Sequence, residues 1–324
     1  VDSPSLLERL GALPRAPLLG GPTRIERLER FERALASPYP VYIKRDDAIP
    51  FGFGGNKVRK LELVMAAALR EGADTVITCG GVQSNHCRAT AAASARLGLR
   101  CHLVLSGEPP AAFTGNTRLD ELFGARVHFV ASRADRTPTM DSLADSLRAE
   151  GLKPEIIPLG ASTPLGAAGL ALGVFEMIDQ GHRPDVIVHA SSSGGTQAGL
   201  LAGLALKGFP ARVIGISADE PATTLQDTVE TLERGVLDLA GAGEGTSLLR
   251  AEVWDSFVGE GYGLATEASR EAQSLLARSE AMVVDHTYTA KALGGLIALV
   301  RGRALAPGAS ILFWHTGGQV GVLA

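Results

Sequence analysis

The chain has 324 residues, 45% hydrophobic and 20% charged, with a net charge of −4 and a pI near 6.0. That is the balance of a globular protein with one large or two medium domains, and it offers no basic patch for nucleic acid. No apolar run is long enough to span a bilayer and no signal peptide leads the sequence, and Cys79, Cys87 and Cys101 lack paired or metal-type spacing, which predicts reduced, mostly buried thiols in a cytoplasmic protein.

Prolines at 4, 14, 17 and 22 predict a loosely structured N-terminal arm with one short helix near Glu8. Residues 25–34 suit a second short helix, and Val41 begins a strand-like run that ends in charge. Gly54, Gly55 and Asn56 then feed a helix over residues 58–71, with Leu61, Val64, Met65, Ala68 and Leu69 on one face. From residue 74 the pattern becomes regular. Strands over 75–78, 101–105, 126–130 and 155–158 alternate with helical segments, the first of them alanine-rich and ending near Leu97. That alternation predicts a parallel sheet with right-handed crossovers.

A second set follows, with a helix over 166–180, a strand over 186–190, a helix over 197–206 and a strand over 213–217. Residues 225–256 are less regular and suit one helix and a Gly-rich loop at 240–246. Helices over 268–279 and 291–301 and a strand over 311–314 close the set. The expected fold class is α/β, two domains with open, twisted, mainly parallel sheets. The larger domain comprises residues 1–60 and 161–324, and the smaller, residues 61–160, is inserted between them.

Lys57 stands where a loop meets a helix start. Backbone N–H groups there carry positive potential, and burial further disfavours a charged amine, so more of it stays neutral and nucleophilic, as a Schiff base requires. Taken alone, the stretch favours the plainer reading of a solvated lysine. Residues 191–196, Ser-Ser-Ser-Gly-Gly-Thr, join a strand to a helix through small side chains, which lets backbone N–H groups approach a phosphate; a plain turn has the same composition. They do not match G-x-G-x-x-G, and residues 52–57 do not match the P-loop pattern, which removes the common nucleotide readings. Gln83, Ser84, Asn85 and His86 follow the carboxyl end of a strand, where open α/β sheets bind ligands. Helix capping by Ser84 or Asn85 explains them equally well. No Gly-x-Ser-x-Gly surrounds Ser84, against a serine-hydrolase elbow, and the seven histidines show no metal-ligand spacing.

Lys57 after Gly-Gly-Asn, the Ser84-Asn85-His86 turn, the Ser/Gly/Thr loop and His315-Thr316-Gly317-Gly318 together resemble one family in order and spacing. It is the D-cysteine desulfhydrase and 1-aminocyclopropane-1-carboxylate (ACC) deaminase family, pyridoxal-phosphate (PLP) enzymes of the tryptophan-synthase-β fold. The resemblance is closer to the desulfhydrases and runs from about residue 22 to residue 318. It implies that Lys57 carries PLP as a Schiff base, which reverses the plainer reading. It implies that Asn85 meets the cofactor's 3-hydroxyl oxygen and that Ser193, Gly194, Gly195 and Thr196 cradle the phosphate, the cofactor lying between the domains. Ser84, Asn85 and His86 would border the substrate carboxylate, with Gln83 nearby. Tyr262 and Tyr288 match two active-site tyrosines suited to protonate or position a leaving group.

The family follows the second tyrosine with Thr-Gly-Lys or Glu-Gly-Lys. Here Thr289, Ala290 and Lys291 follow, and the alanine would narrow the pocket. ACC deaminases carry Glu after that tyrosine, near the pyridine nitrogen. Thr289 and Thr316 would instead offer neutral hydroxyls and a weaker electron sink, which suffices when thiolate leaves. The expected reaction is therefore elimination from a β-substituted amino acid, D-cysteine foremost, with Lys57 as base and Ser84 assisting. ACC deamination, elimination from L-cysteate or β-chloro-D-alanine, and a non-catalytic PLP binder are the other readings. Intact Lys57, Ser84, Tyr262 and Tyr288 argue against the binder. The resemblance also implies a homodimer.

Overall fold

Apolar runs alternating with helical stretches build two sheets in a computed structural model that describes residues 5–243 and 246–324. The first elements are α1 (Leu6–Gly11), β1 (Ile25–Arg27), α2 (Glu29–Leu35), β2 (Val41–Arg45) and α3 (Lys57–Arg70). Next come β3 (Thr75–Gly81), α4 (Asn85–Leu97), β4 (Arg100–Ser106), α5 (Gly115–Leu122), β5 (Arg126–Val130), α6 (Arg136–Ala149) and β6 (Pro154–Ile156). Then follow α7 (Pro164–Asp179), β7 (Val186–Ser191), α8 (Gly195–Leu206), β8 (Arg212–Ser217), α9 (Ala222–Ala240) and β9 (Glu252–Trp254). The last are α10 (Glu267–Glu280), α11 (Thr289–Arg301) and β10 (Ile311–His315).

One sheet has the order β1-β2-β10-β7-β8-β9 and is parallel except for β1, which runs antiparallel to β2. The other, β5-β4-β3-β6, is parallel throughout. Every residue of β7 and β10 is buried, in keeping with the largely apolar sequence of central strands covered on both faces. Residues of α7, α8 and α9 pack on one face of the large sheet through Ile187, Leu312 and Trp314. Those of α2, α10 and α11 pack on the other through Val41, Val188 and Phe313. In the small sheet α6 covers Ile77, Cys79 and Val104, whereas α4 covers Cys101, Leu103 and Leu105. Cys79, Cys87 and Cys101 are free, buried thiols. Among the described residues no helix is long and apolar enough to cross a membrane.

A buried charge network fixes the start of α3. The Asp46 carboxylate accepts from Arg59 Nε at 2.9 Å, Arg59 Nη2 at 2.8 Å and Trp314 Nε1 at 2.7 Å. Glu176 on α7 accepts from Arg59 and Lys44. Burial works against charge on Arg59, yet Asp46 and Glu176 hold its pKa above the ordinary value. Gly169 lets α7 lie directly on α3, since a Cβ there would stand 2.2 Å from the Arg59 carbonyl oxygen.

The structure departs from the sequence reading in a few places. Residues 25–34 are not one helix: Ile25–Arg27 pairs with β2, and α2 begins after it. The helix at Lys57 starts one residue earlier than expected, β3 runs on to Gly81, and β6 ends before Ile157. The short edge strand β9 was not anticipated. Residues 244–245 of the expected Gly-rich loop, and Pro4 of the arm, lie outside the described residues.

Candidate active site

A cavity of about 320 Å³ lies at the C-terminal ends of β3, β7 and β8, among the starts of α3, α4, α6 and α8. Ligands of open α/β sheets gather at that end of the strands. Lys57, the first residue of α3, puts its amine into the wall, 3.5 Å from the Gly160 carbonyl oxygen. Burial lowers its pKa from 10.5 to about 8. Its neighbour Asn56 donates its backbone N–H to the Thr316 carbonyl at 3.0 Å and its side-chain amide to Thr196 Oγ1 at 2.8 Å. The lysine is thus tied both to the end of β10 and to the start of α8.

The loop between β7 and α8 enters the helix through Gly194, whose φ of +74° suits glycine. The first-turn N–H groups of Thr196 and Gln197 have no intrahelical acceptor, as at any helix start. Ser193 Oγ and Ser162 Oγ hydrogen-bond at 2.7 Å, and Ser191 Oγ is buried without a partner. A Cβ on Gly160 would come within 2.4 Å of Ser193 Oγ and 3.1 Å of Lys57 Nζ, so the bare backbone keeps the space between them open. Ser193, Gly194 and Thr196 line the cavity; Gly195 does not, and sits over Lys60 and Ser162. Among the described residues Lys60 is buried with no carboxylate in ion-pair distance, donating to the Gly160 carbonyl at 3.2 Å and to Ser162 Oγ at 3.0 Å. Burial, then the charge of Lys57, pushes its pKa well below the ordinary value.

At the start of α4, Ser84 Oγ caps the helix by accepting the Cys87 N–H at 3.2 Å and also lines the cavity. The N–H groups of Asn85 and His86 are free of intrahelical acceptors by position. Asn85 lines the cavity and accepts from Asn116 Nδ2 through Oδ1 at 3.1 Å, which leaves its NH2 available. The Thr78 hydroxyl donates to the Ile157 carbonyl, so at its 2.8 Å contact it accepts from His86 Nε2. His86 Nδ1 is then a buried acceptor without a partner, and burial with the nearby lysines keeps the ring neutral. Gln83 corrects the sequence expectation. Its amide accepts the Asn116 N–H at 2.8 Å and donates to the Thr114 carbonyl at 3.1 Å, pinning α5 instead of facing the cavity.

Tyr262 and Tyr288 both line the cavity, hydroxyl bonded to hydroxyl, rings edge-on at 5.6 Å. Burial raises the Tyr262 pKa to about 12 and that of Tyr288 well above its ordinary value. Thr289 is a second correction. It is 1% exposed, does not line the cavity, and donates its hydroxyl to Asp285 Oδ1 at 2.6 Å. Asp285 also accepts the backbone N–H groups of Tyr288 and Thr289, so this threonine belongs to the cap of α11. Ala290 is likewise buried in the core away from the cavity and does not narrow it. Thr316 does line the cavity, and its hydroxyl has no partner among the described residues.

Lys60, Arg133, Arg136, Asp219 and Glu220 were missed by motif reading. Arg133 lies over the Tyr262 ring, 5.1 Å from its centroid, and pairs with Asp219 at 2.9 Å and Glu220 at 3.6 Å. Ser192 donates to the other Asp219 oxygen at 2.9 Å. Arg133, Asp219 and Glu220 follow the ends of β5 and β8, so the rule that ligands meet strand ends was the available clue.

Residues 17–317 match the family of pyridoxal-phosphate dependent enzymes. The chain is 38% identical to the D-cysteine desulfhydrases of Salmonella typhi and Salmonella newport (strain SL254), with 98% of each chain covered. The solved structure of an ACC deaminase homologue superposes with a TM-score of 0.91 at 34% identity, covering 99% of this chain and 97% of that one. A pyridoxal 5'-phosphate-dependent aspartate racemase superposes with a TM-score of 0.71 at 17% identity, covering 98% of this chain and 97% of that one, and shares the fold alone. The residues fit the cofactor: a partly neutral amine suits its aldehyde, and a glycine-bared helix start with an orphaned serine and a buried lysine suits its phosphate. Geometry and likeness thus converge over nearly the whole length, and the chain belongs to the pyridoxal-phosphate dependent enzyme family that includes the D-cysteine desulfhydrases and the ACC deaminase homologue.

Proposed function

We propose that the chain catalyses α,β-elimination from a β-substituted amino acid, D-cysteine foremost, consuming one water and releasing pyruvate, hydrogen sulfide and ammonia. The observation that carries this is its 38% identity to D-cysteine desulfhydrases over 98% of both chains. When bound, PLP supplies an electron sink that acidifies the α-proton and lets a β-substituent depart. Lys57 would hold the cofactor through its amine and would act as the base that takes the α-proton. Ser193, Gly194, Thr196 and the first turn of α8 would hold the phosphate, Gly195 sets the packing beneath, and Lys60 would add a buried amine donor. The Asn85 amide would meet the 3-hydroxyl oxygen, and the Thr316 hydroxyl would serve the ring nitrogen. Thr289 acts one step removed, by holding the turn that carries Tyr288.

The substrate carboxylate docks on the N–H groups of Asn85 and His86, with Ser84 at its edge. Both tyrosines stay protonated at neutral pH because burial raises their pKa values. Their mutual bond uses one hydroxyl proton, so the other remains to be donated to the leaving thiolate. We assign the cofactor-holding domain to residues 1–60 and 161–324 and the smaller domain to 61–160, in a cytoplasmic homodimer acting on a small amino acid.

The ACC deaminase homologue favours a second reading, ring opening of ACC. Against it, Thr316 and its neighbours His315 and Gly317 bring no carboxylate to the cavity to strengthen the sink. The test is to supply D-cysteine, L-cysteine, L-cysteate, β-chloro-D-alanine and ACC at matched concentrations and follow pyruvate against 2-oxobutanoate. Fastest release from D-cysteine is expected. Faster 2-oxobutanoate from ACC refutes the elimination reading, and no keto acid from any substrate by a PLP-loaded protein points to the binder.

A further inference from the structure

Most buried cations of this protein are accounted for by partners. Arg59 has Asp46 and Glu176, Lys44 has Glu176, and Arg88 donates to Asn116 and to the carbonyls of Gly52 and Gly54. Arg136, the first residue of α6, differs. It is 8% exposed and lines the cavity, yet no carboxylate lies within ion-pair distance among the described residues. Among the described residues its side chain hydrogen-bonds only from Nε and Nη2 to the hydroxyl of Ser106. A guanidinium has five N–H donors, so three have no protein acceptor. A buried charge in that state is costly unless something else neutralises it.

The acids of the cavity wall do not neutralise it. Asp219 is committed to Arg133 and Ser192, and Glu220 to Arg133. Nor does Arg136 duplicate the anion site at α4. The two helices cover opposite faces of the small sheet, α6 through Cys79 and Val104 and α4 through Cys101 and Leu103. The cavity therefore carries two separate positive contacts at one edge of that sheet. We propose that Arg136 is a specificity-determining residue that receives an anionic β-substituent, so that the preferred substrates are amino acids ionised at both ends, with a thiolate or a sulfonate on the β-carbon. This rests on the elimination reading, with the α-carboxylate held at the start of α4.

D-Aspartate and D-asparagine give a direct probe, being near-isosteric, charged against neutral, and without a β-leaving group. The readout is the change in cofactor absorbance on titrating each into the PLP-loaded protein. A charge-assisted bond is roughly twice as strong as a neutral one, so aspartate should bind about tenfold more tightly than asparagine. In Arg136→Met and Arg136→Gln that preference should collapse to near unity through weaker aspartate binding, with asparagine little changed. Arg136→Lys should keep part of it. A wild-type protein that binds aspartate no better than asparagine, or binds neither, overturns the proposal without recourse to any variant. Equal weakening of both ligands in the neutral variants also overturns it, since Arg136 would then serve the α-carboxylate or the fold. Pyruvate release from D-cysteine, measured on the same preparations, reports on the elimination reading separately.

Discussion

Lys57 carries a stability cost that can be measured. With PLP removed, its amine must be buried, and burial lowers its pKa from 10.5 to about 8. Replacing it by methionine, of similar length and without charge, should stabilise the cofactor-free protein. At pH 7 the amine is protonated in both folded and unfolded chains, so the full penalty applies. The difference between 10.5 and about 8 corresponds to at most about 3 kcal/mol. Between those two values the unfolded chain binds a proton that the folded one does not, so wild-type stability rises with pH. The advantage of Lys57→Met should therefore shrink through that window and vanish above pH 10.5. At about 2.1 cal/mol/K per residue, a chain of 324 residues converts the pH 7 gap to about 4–5 °C in Tm. Thermal melts of both cofactor-free proteins at neutral and alkaline pH supply the assay. A variant no more stable than wild type at pH 7, or a gap that does not narrow with rising pH, refutes the reasoning.

Lys57→Ala should abolish borohydride-fixed attachment of PLP while the protein stays folded; a trapped adduct in that variant would assign the cofactor to another lysine. Gly194→Val places a β-branched residue at φ +74° with its Cβ 3.0 Å from Thr228 Cγ2, so about 1–2 kcal/mol of stability should be lost through strain. PLP affinity should fall by about tenfold or more because the backbone loses its approach to the phosphate, and wild-type retention of PLP through dialysis contradicts this. Asp46→Asn leaves Arg59 buried with one carboxylate partner fewer and should cost about 3 kcal/mol, read as a lowered urea midpoint; an unchanged midpoint would mean that Glu176 alone suffices.

The strands β7 and β10 were legible because burial on both faces gives each a continuous apolar start, residues 186–188 and 311–314. The short edge strands were not. Ile25–Arg27 has only three residues, and its identity comes from pairing with residues 42–44 rather than from its own pattern. Motif order located Lys57, Ser84, Asn85 and the loop at Gly194 in one cavity. It failed at Thr289 and Gln83, which stand next to cavity residues in sequence but turn away because a helix start nearby takes their polar atoms. Arg136 has no motif of its own, and the lack of a counter-charge that singles it out exists only in three dimensions. The bond between Asp46 and Trp314 spans 268 positions and could not be read from either end.

The place of β10 has a consequence for how the protein comes into being. Residues 311–315 fill the gap between β2 and β7, so the two halves of the large sheet share no ladder until they arrive. A nascent chain that has emerged only to residue 310 carries the four-stranded sheet complete, since its strands close within residues 75–156. The large sheet at that moment is two fragments with open edges, of the kind that invite pairing with other chains. Asn56 has no Thr316 carbonyl to bond, and Asp46 has no Trp314. Assembly of the lysine's surroundings thus waits on some of the most distant contacts in the chain, and cofactor capture follows only after the central strand has slotted into place.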